Sequence, residues 1–255
     1  MLDPAELVAT AGAFGVAEDQ VRRDHLISHV LVALGRLDLP VVFFGGTALA
    51  RTWLPDPAAG GRLSEDIDLY AGERREVADA LGALPRLLRR EFPGAAWDPA
   101  PAEVRAIDPS RLATRDGFQV RIQVLSTAEH RELAGWPTEL RSLWMRYADV
   151  PPVSLRVPTL AAFAAMKTTA WMDRAAARDL YDLAGLASLG ALTADAARLV
   201  HEVAGWKVAR YGFDRLPGFD WQVQLGHQTG TLPSAQDCLD RVRAAYGEAL
   251  GWHAD

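Results

Sequence analysis

Two kinds of residue are scarce in this chain of 255 residues, and both scarcities are informative. The single cysteine, Cys238, excludes an internal disulfide bond and a cysteine-rich zinc module, and it fits a protein of a reducing compartment. Lysine occurs only at Lys167 and Lys207, so 25 of the 27 basic residues are arginine. Because a compact, flexible ammonium group and a planar guanidinium group are not interchangeable, each retained lysine is a candidate for a specific role, although chance explains either lysine equally well.

The chain also lacks an excess of positive charge and a long apolar run. Its formal net charge of -6 excludes a generally basic surface that coats nucleic acid, although it leaves room for a local basic groove. The longest apolar stretch, 26–44, is interrupted by charged residues and Pro40, which excludes a membrane-spanning helix there. The first residues lack the pattern of an export signal. We therefore expect a cytoplasmic protein without a membrane partner.

The periodicity of apolar residues predicts an α+β protein with a mixed first half and a helical second half. In the first half the predicted strands are 41–44, 66–70 and 118–124, with 104–107 as a hairpin neighbour, and the predicted helices are 21–34 and 73–90. In the second half the predicted helices are 159–173, 175–189, 194–211 and 234–250. Prolines near residues 151–158 mark the boundary between an α/β domain at 1–155 and a helical domain at 156–255.

The predicted strand 41–44 ends in Gly45-Gly46-Thr47 and leads directly into a short helix, which Thr47 is expected to cap. Adjacent glycines let a backbone approach a ligand closely, and the amide groups at the start of a helix attract anions. This arrangement is typical of a phosphate cradle. A tight turn that needs the left-handed backbone conformation explains a glycine pair equally well, so the motif leaves both interpretations open.

Two carboxylates follow about 20 residues later, at Asp66 and Asp68. In a strand their side chains lie on the same face, with Ile67 and Leu69 buried behind them. Adjacent carboxylates repel each other unless a cation lies between them, and hard oxygen ligands suit Mg²⁺. The pair therefore predicts a magnesium site. An aspartate pair that follows a strand, a glycine pair and a helix is a much more specific signal than the same pair alone.

These residues resemble the signature of the AbiEii/AbiGii toxin family, nucleotidyltransferases of the DNA polymerase β superfamily. The first half of the resemblance is Gly45-Gly46-Thr47-Ala48-Leu49, then Arg51, then Arg62-Leu63-Ser64-Glu65-Asp66-Ile67-Asp68-Leu69. The second half is Lys167 followed by Arg178-Asp179-Leu180-Tyr181-Asp182. The resemblance implies a polymerase-β-type mixed sheet with helices, followed by a mainly helical C-terminal part that completes the active site.

The resemblance also implies roles for individual residues. The catalytic residues that it implies are Asp66, Asp68, Lys167 and Asp182. The nucleotide-binding residues that it implies are Gly45, Gly46, Thr47, Arg62, Ser64, Lys167, Arg174, Arg178 and Asp179. From spacing alone, the charged stripe that begins at Lys167 can equally be a solvated helix face that contains an Arg178–Asp182 ion pair and has no role in the site. Trp171, on the same stripe, is expected to pack in the core instead of lining a base pocket.

The chain departs from the family pattern at one position. Polymerase-β-type sites usually carry a third acid on a later strand, and the matching position in 118–124 is Gln123. Glutamine can coordinate a metal through its carbonyl oxygen but brings no charge. The predicted metal ligands are therefore Asp66, Asp68 and Gln123. Three explanations stay open: the two aspartates suffice with one ion, catalysis is slow, or the register assigned to the strand 118–124 is wrong.

The predicted function is transfer of a nucleoside monophosphate from an NTP to an acceptor hydroxyl, with Mg²⁺ or Mn²⁺ bound and pyrophosphate released. The resemblance implies an RNA acceptor, in particular the 3′ end of tRNA, arrest of cell growth, and a separately encoded antitoxin as partner. Two alternatives stay open. Gln123 favours a nucleotide-binding or interaction module with weak catalysis, and the net charge of -6 favours a small molecule or a protein as acceptor.

Two other features carry weaker signals. His25 and His29 have the four-residue spacing of metal ligands on a helix, but no H-E-x-x-H motif accompanies them. The sequence therefore favours a pair on the helix surface over a zinc site. The loop at 226–230, Gly226-His227-Gln228-Thr229-Gly230, contains no motif with a known function.

Overall fold

A five-stranded mixed sheet dominates the first half of the molecule. The computed structural model describes residues 1–105, 108–230 and 232–252. The strands are β1 (Val41–Phe44), β2 (Asp66–Ala71), β3 (Ala96–Trp97), β4 (Ser110–Ala113) and β5 (Gln119–Ser126). They lie in the order β1-β2-β5-β4-β3, and β2 and β5 run parallel while the other neighbours run antiparallel. The predicted α+β fold is confirmed.

The hairpin neighbour of β5 is β4, and not the predicted segment 104–107. Val104 and Arg105 belong to no strand, and residues 106 and 107 lie outside the described part of the chain. A turn that contains Asp116-Gly117 joins β4 to β5, with Gly117 at φ +84°. An Asp-Gly pair before an alternating strand is typical of a hairpin turn. The sequence around Asp116-Gly117 therefore indicates the hairpin that the segment 104–107 was wrongly expected to form.

Two helices precede the sheet, α1 (Pro4–Phe14) and α2 (Glu18–Leu37), and a short helix α3 (Gly45–Ala50) follows β1. Helix α1 was not predicted from periodicity, although Asp3 caps it by accepting a hydrogen bond from a backbone amide and Pro4 opens its first turn. Helix α2 extends the predicted helix 21–34 at both ends and is buried along most of its length.

The helix predicted at 73–90 is interrupted. It consists of α4 (Arg74–Leu81) and the single turn α5 (Leu84–Leu87). Gly82 ends α4, and Pro85, which has no backbone N–H to donate, lies in the first turn of α5. Apolar residues of both pieces face the core, which is why the periodicity continues across the break.

A two-stranded antiparallel sheet and a set of helices follow. The strands are β6 (Thr138–Ser142) and β7 (Ser154–Pro158), and the helices are α6 (Leu160–Arg174), α7 (Ala177–Ser188), α8 (Ala194–Ala204), α9 (Trp221–Leu225) and α10 (Ala235–Leu250). Helix α8 ends before the predicted residue 211, because Gly205 adopts the left-handed conformation at φ +73° and caps it. Short 3-10 turns lie at Pro57–Ala59, Arg131–Gly135 and Arg210–Phe213.

One buried apolar cluster extends from Leu26 of α2 to Tyr246 of α10 and so includes residues of both halves. Trp171 belongs to it: the residue is 2% exposed, and its indole N–H donates to the carbonyl of Gly212 at 3.0 Å. The predicted core position of Trp171 is confirmed. The division into domains 1–155 and 156–255 stays a prediction. Within the described residues, no helix is both long and apolar enough to cross a membrane.

A buried ionic network fastens α2 to the segment that follows α3. Arg51 is fully buried, and its guanidinium group lies 2.8 Å from the carboxylate of Asp24. The hydroxyl of Tyr147 donates to the same carboxylate at 2.8 Å, and Arg146 lies 3.6 Å from it. Burial and the nearby charge of Arg51 lower the pKa of Arg146 to about 10. Arg51, which belongs to the family signature, therefore stabilises the fold through a buried ion pair in this chain.

Candidate active site

Helix α3 begins with two glycines, Gly45 and Gly46, at positions where neighbouring side chains occupy the space of a Cβ atom. Gly45 adopts φ +79°, and a Cβ atom there would collide with the carboxylate of Asp68. A Cβ atom at Gly46 would collide with the guanidinium group of Arg62. The left-handed conformation of Gly45 bears out the interpretation as a tight turn, whereas the phosphate cradle stays a prediction.

Thr47 does not cap the helix as predicted. Helix α3 begins at Gly45 with Phe44 in the cap position, and the hydroxyl of Thr47 donates to the backbone carbonyl of Asp66. The residue is 2% exposed and is not part of the cleft described below. Thr47 therefore connects α3 to β2, and its hydroxyl is not available to a phosphate group in this geometry.

The two predicted carboxylates of β2 open into one cleft. Arg121 of β5 donates two hydrogen bonds of 2.8 Å to the carboxylate of Asp66. Burial raises the pKa of Asp68 to about 6, and the neighbouring charge of Asp66 adds to the effect. Two carboxylates in this position carry an electrostatic cost that a bound cation relieves.

Gln123 lies where strand alternation places it. In the parallel pairing of β2 with β5, Asp68 lies opposite Gln123 and Asp66 lies opposite Arg121. All four residues line the same cleft. The expected proximity of Gln123 to the aspartate pair is therefore observed, whereas coordination of a metal ion by its amide oxygen stays a prediction.

Helices α6 and α7 contribute positive charge close to the carboxylates. We call Lys167, Arg174 and Arg178 the cationic wall. Lys167 is buried, whereas Arg178 is exposed at the cleft. The charges of all three act to lower the pKa of Asp68, against the larger effects of burial and of the neighbouring aspartate. The wall and the carboxylates thus lie close enough to bind one ligand together.

Buried acids hold two of the three residues of the cationic wall, Lys167 and Arg174, in place. The ammonium group of Lys167 lies 2.6 Å from Asp182 and 3.3 Å from Asp179. Arg174 donates to both oxygens of Asp179, at 2.7 and 3.0 Å. Burial alone would raise the pKa of Asp179, but Lys167 and Arg174 outweigh it and lower the pKa. Asp179 is therefore ionised at neutral pH.

Asp182 lies behind the cleft and does not line it. Arg62 donates to its two oxygens at 2.8 and 2.9 Å. Burial acts to raise the pKa of Asp182, but the charges of Arg62 and Lys167 outweigh burial and hold the pKa at about 2. Asp182 therefore contacts Arg62 and Lys167 in place of the alternative partner Arg178, and its predicted catalytic role stays a prediction.

One cleft of about 440 Å³ contains the other predicted site residues. Those that line it are Gly45, Gly46, Arg62, Ser64, Asp66, Asp68, Gln123, Lys167, Arg174, Arg178 and Asp179. The paired carboxylates come from β2 and the cationic wall comes from α6 and α7. A ligand that combines a bound cation with several phosphate groups matches both charges.

The lining also contains residues that the sequence analysis did not assign to the site, among them Arg121 and Gln228. The alternation of β5 could have indicated Arg121, because it lies on the same face as Gln123. Gln228 accepts a hydrogen bond from Arg62 through its side chain, and from the amide of Leu63 through its backbone carbonyl. No local pattern indicates this residue, because its position depends on contacts between segments far apart in the chain.

The residues present fit a divalent metal ion. Asp66, Asp68 and Gln123 offer carboxylate and amide oxygens, which are the ligands that Mg²⁺ prefers. Burial first and the charge of Asp66 second raise the pKa of Asp68, and a cation bound between the two carboxylates would act in the opposite direction. Because Arg121 holds the carboxylate of Asp66, this ion pair has to open or to share the carboxylate when a metal ion binds.

Comparison with known proteins agrees with this geometry. A family model described as nucleotidyl transferase AbiEii toxin, type IV TA system, matches residues 29–241. MenT4, a nucleotidyltransferase toxin from Mycobacterium tuberculosis H37Rv, is similar in structure with a TM-score of 0.64 and 20% identity, over 98% of this chain and 91% of that chain. A putative nucleotidyltransferase from H. pylori is similar with a TM-score of 0.56 and 16% identity, over 94% of this chain and 100% of that chain.

The search among curated proteins gave no match. At such low identity the two similar structures show the fold alone. The family model covers most of the chain, including both halves of the motif that forms the cleft. The chain therefore belongs to the AbiEii family of nucleotidyltransferase toxins and is a nucleotidyltransferase.

Proposed function

We propose that this enzyme transfers a nucleoside monophosphate from an NTP to a hydroxyl group of RNA, with the 3′ end of tRNA as the favoured acceptor. The acceptor oxygen forms a bond to the α-phosphorus, the bond from that phosphorus to the bridging oxygen breaks, and pyrophosphate leaves. The observation that supports the proposal is a single cleft in which Asp66 and Asp68 lie close to the cationic wall.

Asp66, Asp68 and Gln123 are the residues that would hold the metal ion. Mg²⁺ or Mn²⁺ bound there polarises the phosphoryl oxygens and helps to activate the attacking hydroxyl. Asp68 has to be ionised for this purpose, and its raised pKa makes the ionisation sensitive to the bound cation. Arg121 keeps the carboxylate of Asp66 oriented until the substrate arrives.

The cationic wall binds the triphosphate and neutralises the charge that develops during transfer. Lys167 supplies a compact point charge, and two buried acids hold its ammonium group at the cleft. Arg174 and Arg178 lie in the same lining and can each donate to phosphate oxygens through several N–H groups. In this type of reaction, positioning and charge stabilisation provide most of the rate enhancement.

The physiological role that follows is growth arrest by a toxin whose antitoxin is encoded separately. Membership of a type IV toxin–antitoxin family supports this role. Expression of the chain alone should stop growth, and expression of Asp68→Asn should not. A neighbouring gene whose product restores growth would identify the antitoxin.

The test is incubation of the purified chain with each labelled NTP, Mg²⁺ and total cellular RNA, followed by gel separation and 3′-end sequencing. We expect label at RNA 3′ ends, and none with Asp66→Asn or Asp68→Asn. Asp79→Asn, on an exposed position of α4, is the matched control and should transfer at the wild-type rate. Transfer at the wild-type rate by both cleft variants, with the same metal dependence, contradicts the assignment. Label on protein or on a small molecule, with none on RNA, identifies a different acceptor.

A second candidate function is a nucleotide-binding module with weak catalysis. The pairing of Asp66 with Arg121, together with a glutamine in the third-acid position, favours it. Calorimetric titration with each NTP, paired with the transfer assay, separates the two candidates. Tight NTP binding without turnover on RNA, protein or small molecules supports the module, and turnover that depends on Asp68 rejects it.

A further inference from the structure

A second group of metal-binding side chains lies outside the cleft. His25 and His29 occupy successive turns of α2, and Asp149 lies in the segment between β6 and β7. Both histidines are buried, at 5% and 6% exposure, so the expectation of a pair on the helix surface is wrong. None of the three residues lines the active-site cleft.

The ligand atoms of these residues form a small triangle. The two Nε2 atoms are 3.2 Å apart, and Asp149 Oδ2 lies 3.1 Å from His25 Nε2 and 3.4 Å from His29 Nε2. Zinc bonds to nitrogen and oxygen are about 2.0–2.2 Å long, and in a tetrahedral site such bonds place neighbouring ligand atoms roughly 3.4 Å apart. The triangle therefore has nearly the size of one face of a tetrahedral zinc site.

Hydrogen bonding within this triangle brings the two imidazole Nε2 atoms to 3.2 Å from each other. A neutral imidazole Nε2 atom offers either one proton or one lone pair in the ring plane. His25 Nε2 lies within hydrogen-bond distance of both the other imidazole nitrogen and the carboxylate, so a single proton on it serves one of these contacts, and the other contact depends on the tautomer of His29. A cation at the centre accepts the lone pairs of both nitrogens and of the carboxylate at the same time.

We propose that His25, His29 and Asp149 form a zinc site. Two imidazoles and one carboxylate suit Zn²⁺ better than Mg²⁺, which separates this site chemically from the cleft. Phe92 and Tyr147 pack against the imidazole rings, with centroid distances of 5.5 Å to His29 and 5.0 Å to His25, and cover one side of the group.

The surroundings indicate what the ion does. Asp149 lies two residues after Tyr147. The hydroxyl of Tyr147 donates to Asp24, which is paired with Arg51 in the buried network. Zinc would therefore fasten the segment between β6 and β7 onto α2, beside that network. The amino group of Met1 lies 2.7 Å from Asp149 Oδ2 and would have to give up that contact to the ion. Three protein ligands would leave the fourth position open to water. The location outside the cleft and beside the buried network indicates that this ion stabilises the fold.

The test is metal titration of the full chain after treatment with a chelator. Co²⁺ is the spectroscopic probe, because tetrahedral nitrogen and oxygen ligands give it strong visible absorption, and Zn²⁺ is titrated against a coloured chelator. The Asp66→Asn/Asp68→Asn variant removes the acidic pair of the cleft, so binding that persists in it belongs to the second site. We expect one ion per chain in this background, and a higher melting temperature with Zn²⁺.

The ligands are tested one at a time in the same background. His29→Gln and Asp149→Asn should each weaken binding by at least about tenfold and abolish the melting shift, since each removes a direct ligand. His201→Gln, an exposed histidine of α8, is the matched control and should bind as before. Asp149 is partly exposed, so its variant stays informative if a histidine variant fails to fold. No stoichiometric binding, or equal binding by the ligand variants and the control, overturns the proposal.

Discussion

The charge of Asp68 couples the active site to the stability of the protein. Its pKa is raised to about 6 by burial and by Asp66, so between the ordinary pKa near 4 and pH 6 the folded state binds more protons than the unfolded state. The free energy of unfolding therefore falls as pH rises through this window. Asp68→Asn cannot ionise, and relative to the wild type it should gain on the order of 2 kcal/mol between pH 4 and pH 7.

Urea unfolding without metal, at pH 4.5 and pH 7.5, measures this difference. At pH 7.5, Mg²⁺ should raise the unfolding free energy of the wild type and so reduce its difference from Asp68→Asn, because the ion stabilises the ionised carboxylate. Asp79→Asn should follow the wild type at both pH values. An Asp68→Asn variant whose unfolding free energy parallels the wild type across the range shows that Asp68 ionises normally.

The two lysines allow a matched comparison. Lys167 is 7% exposed and contacts two buried acids, whereas Lys207 is exposed outside the cleft. Lys167→Ala should lose most transfer activity, and Lys167→Arg should restore it poorly, because a planar fork does not replace a point charge beside phosphate. Lys207→Ala should transfer at the wild-type rate. Single-turnover rates with labelled NTP measure the loss of transfer, and melting temperatures show whether each variant is folded. Equal losses at Lys167 and Lys207 would show that the scarcity of lysine in the sequence does not indicate function.

At the level of elements, the pairing of β2 with β5 decides how the metal ligands meet. Gln123 lies opposite Asp68, so Gln123→Glu adds a third carboxylate to the pair. The variant should lower the Mg²⁺ concentration needed for half-maximal transfer at pH 8. The advantage should shrink near pH 6.5, because a further negative charge raises the pKa of Asp68.

A Mg²⁺ titration of the transfer rate at both pH values tests the strand pairing. Gln119→Glu makes the same change at the start of β5 and should leave the titration curve unchanged. A Gln123→Glu curve that coincides with the wild-type curve at both pH values removes Gln123 from the metal site. The ligand beside the two aspartates would then have to come from another residue.

Across the whole molecule, the network around Asp24 holds α2 against the segments that follow α3 and β6. Asp24→Asn would leave Arg51 and Arg146 buried without their counter-charge. The variant should lose about 3 kcal/mol or more of unfolding free energy. Asp19→Asn, an exposed residue of the same helix, should change it by less than about 1 kcal/mol. Urea unfolding decides, and similar losses in both variants would mean that the buried pair contributes no more than a surface charge.

Local pattern predicted much of the fold and most of the cleft. Alternation placed Asp68 and Gln123 on their strands, and the glycine pair marked the turn after β1, because strand period and turn chemistry depend on near neighbours. Helix lengths were less predictable. Gly82 and Pro85 break a helix whose apolar spacing continues, since tertiary packing can maintain a periodic face across two pieces.

Packing between distant segments decided the remaining features. Asp182 lies behind the cleft and not in its lining, because Arg62, 120 residues earlier in the chain, donates to both of its oxygens. His25 and His29 are buried against Asp149 and not exposed on a helix surface, and no spacing within α2 encodes that partner. A local pattern gives the direction of a side chain relative to its own strand or helix. Burial, charge pairing and pKa depend on what the rest of the chain brings to that side chain.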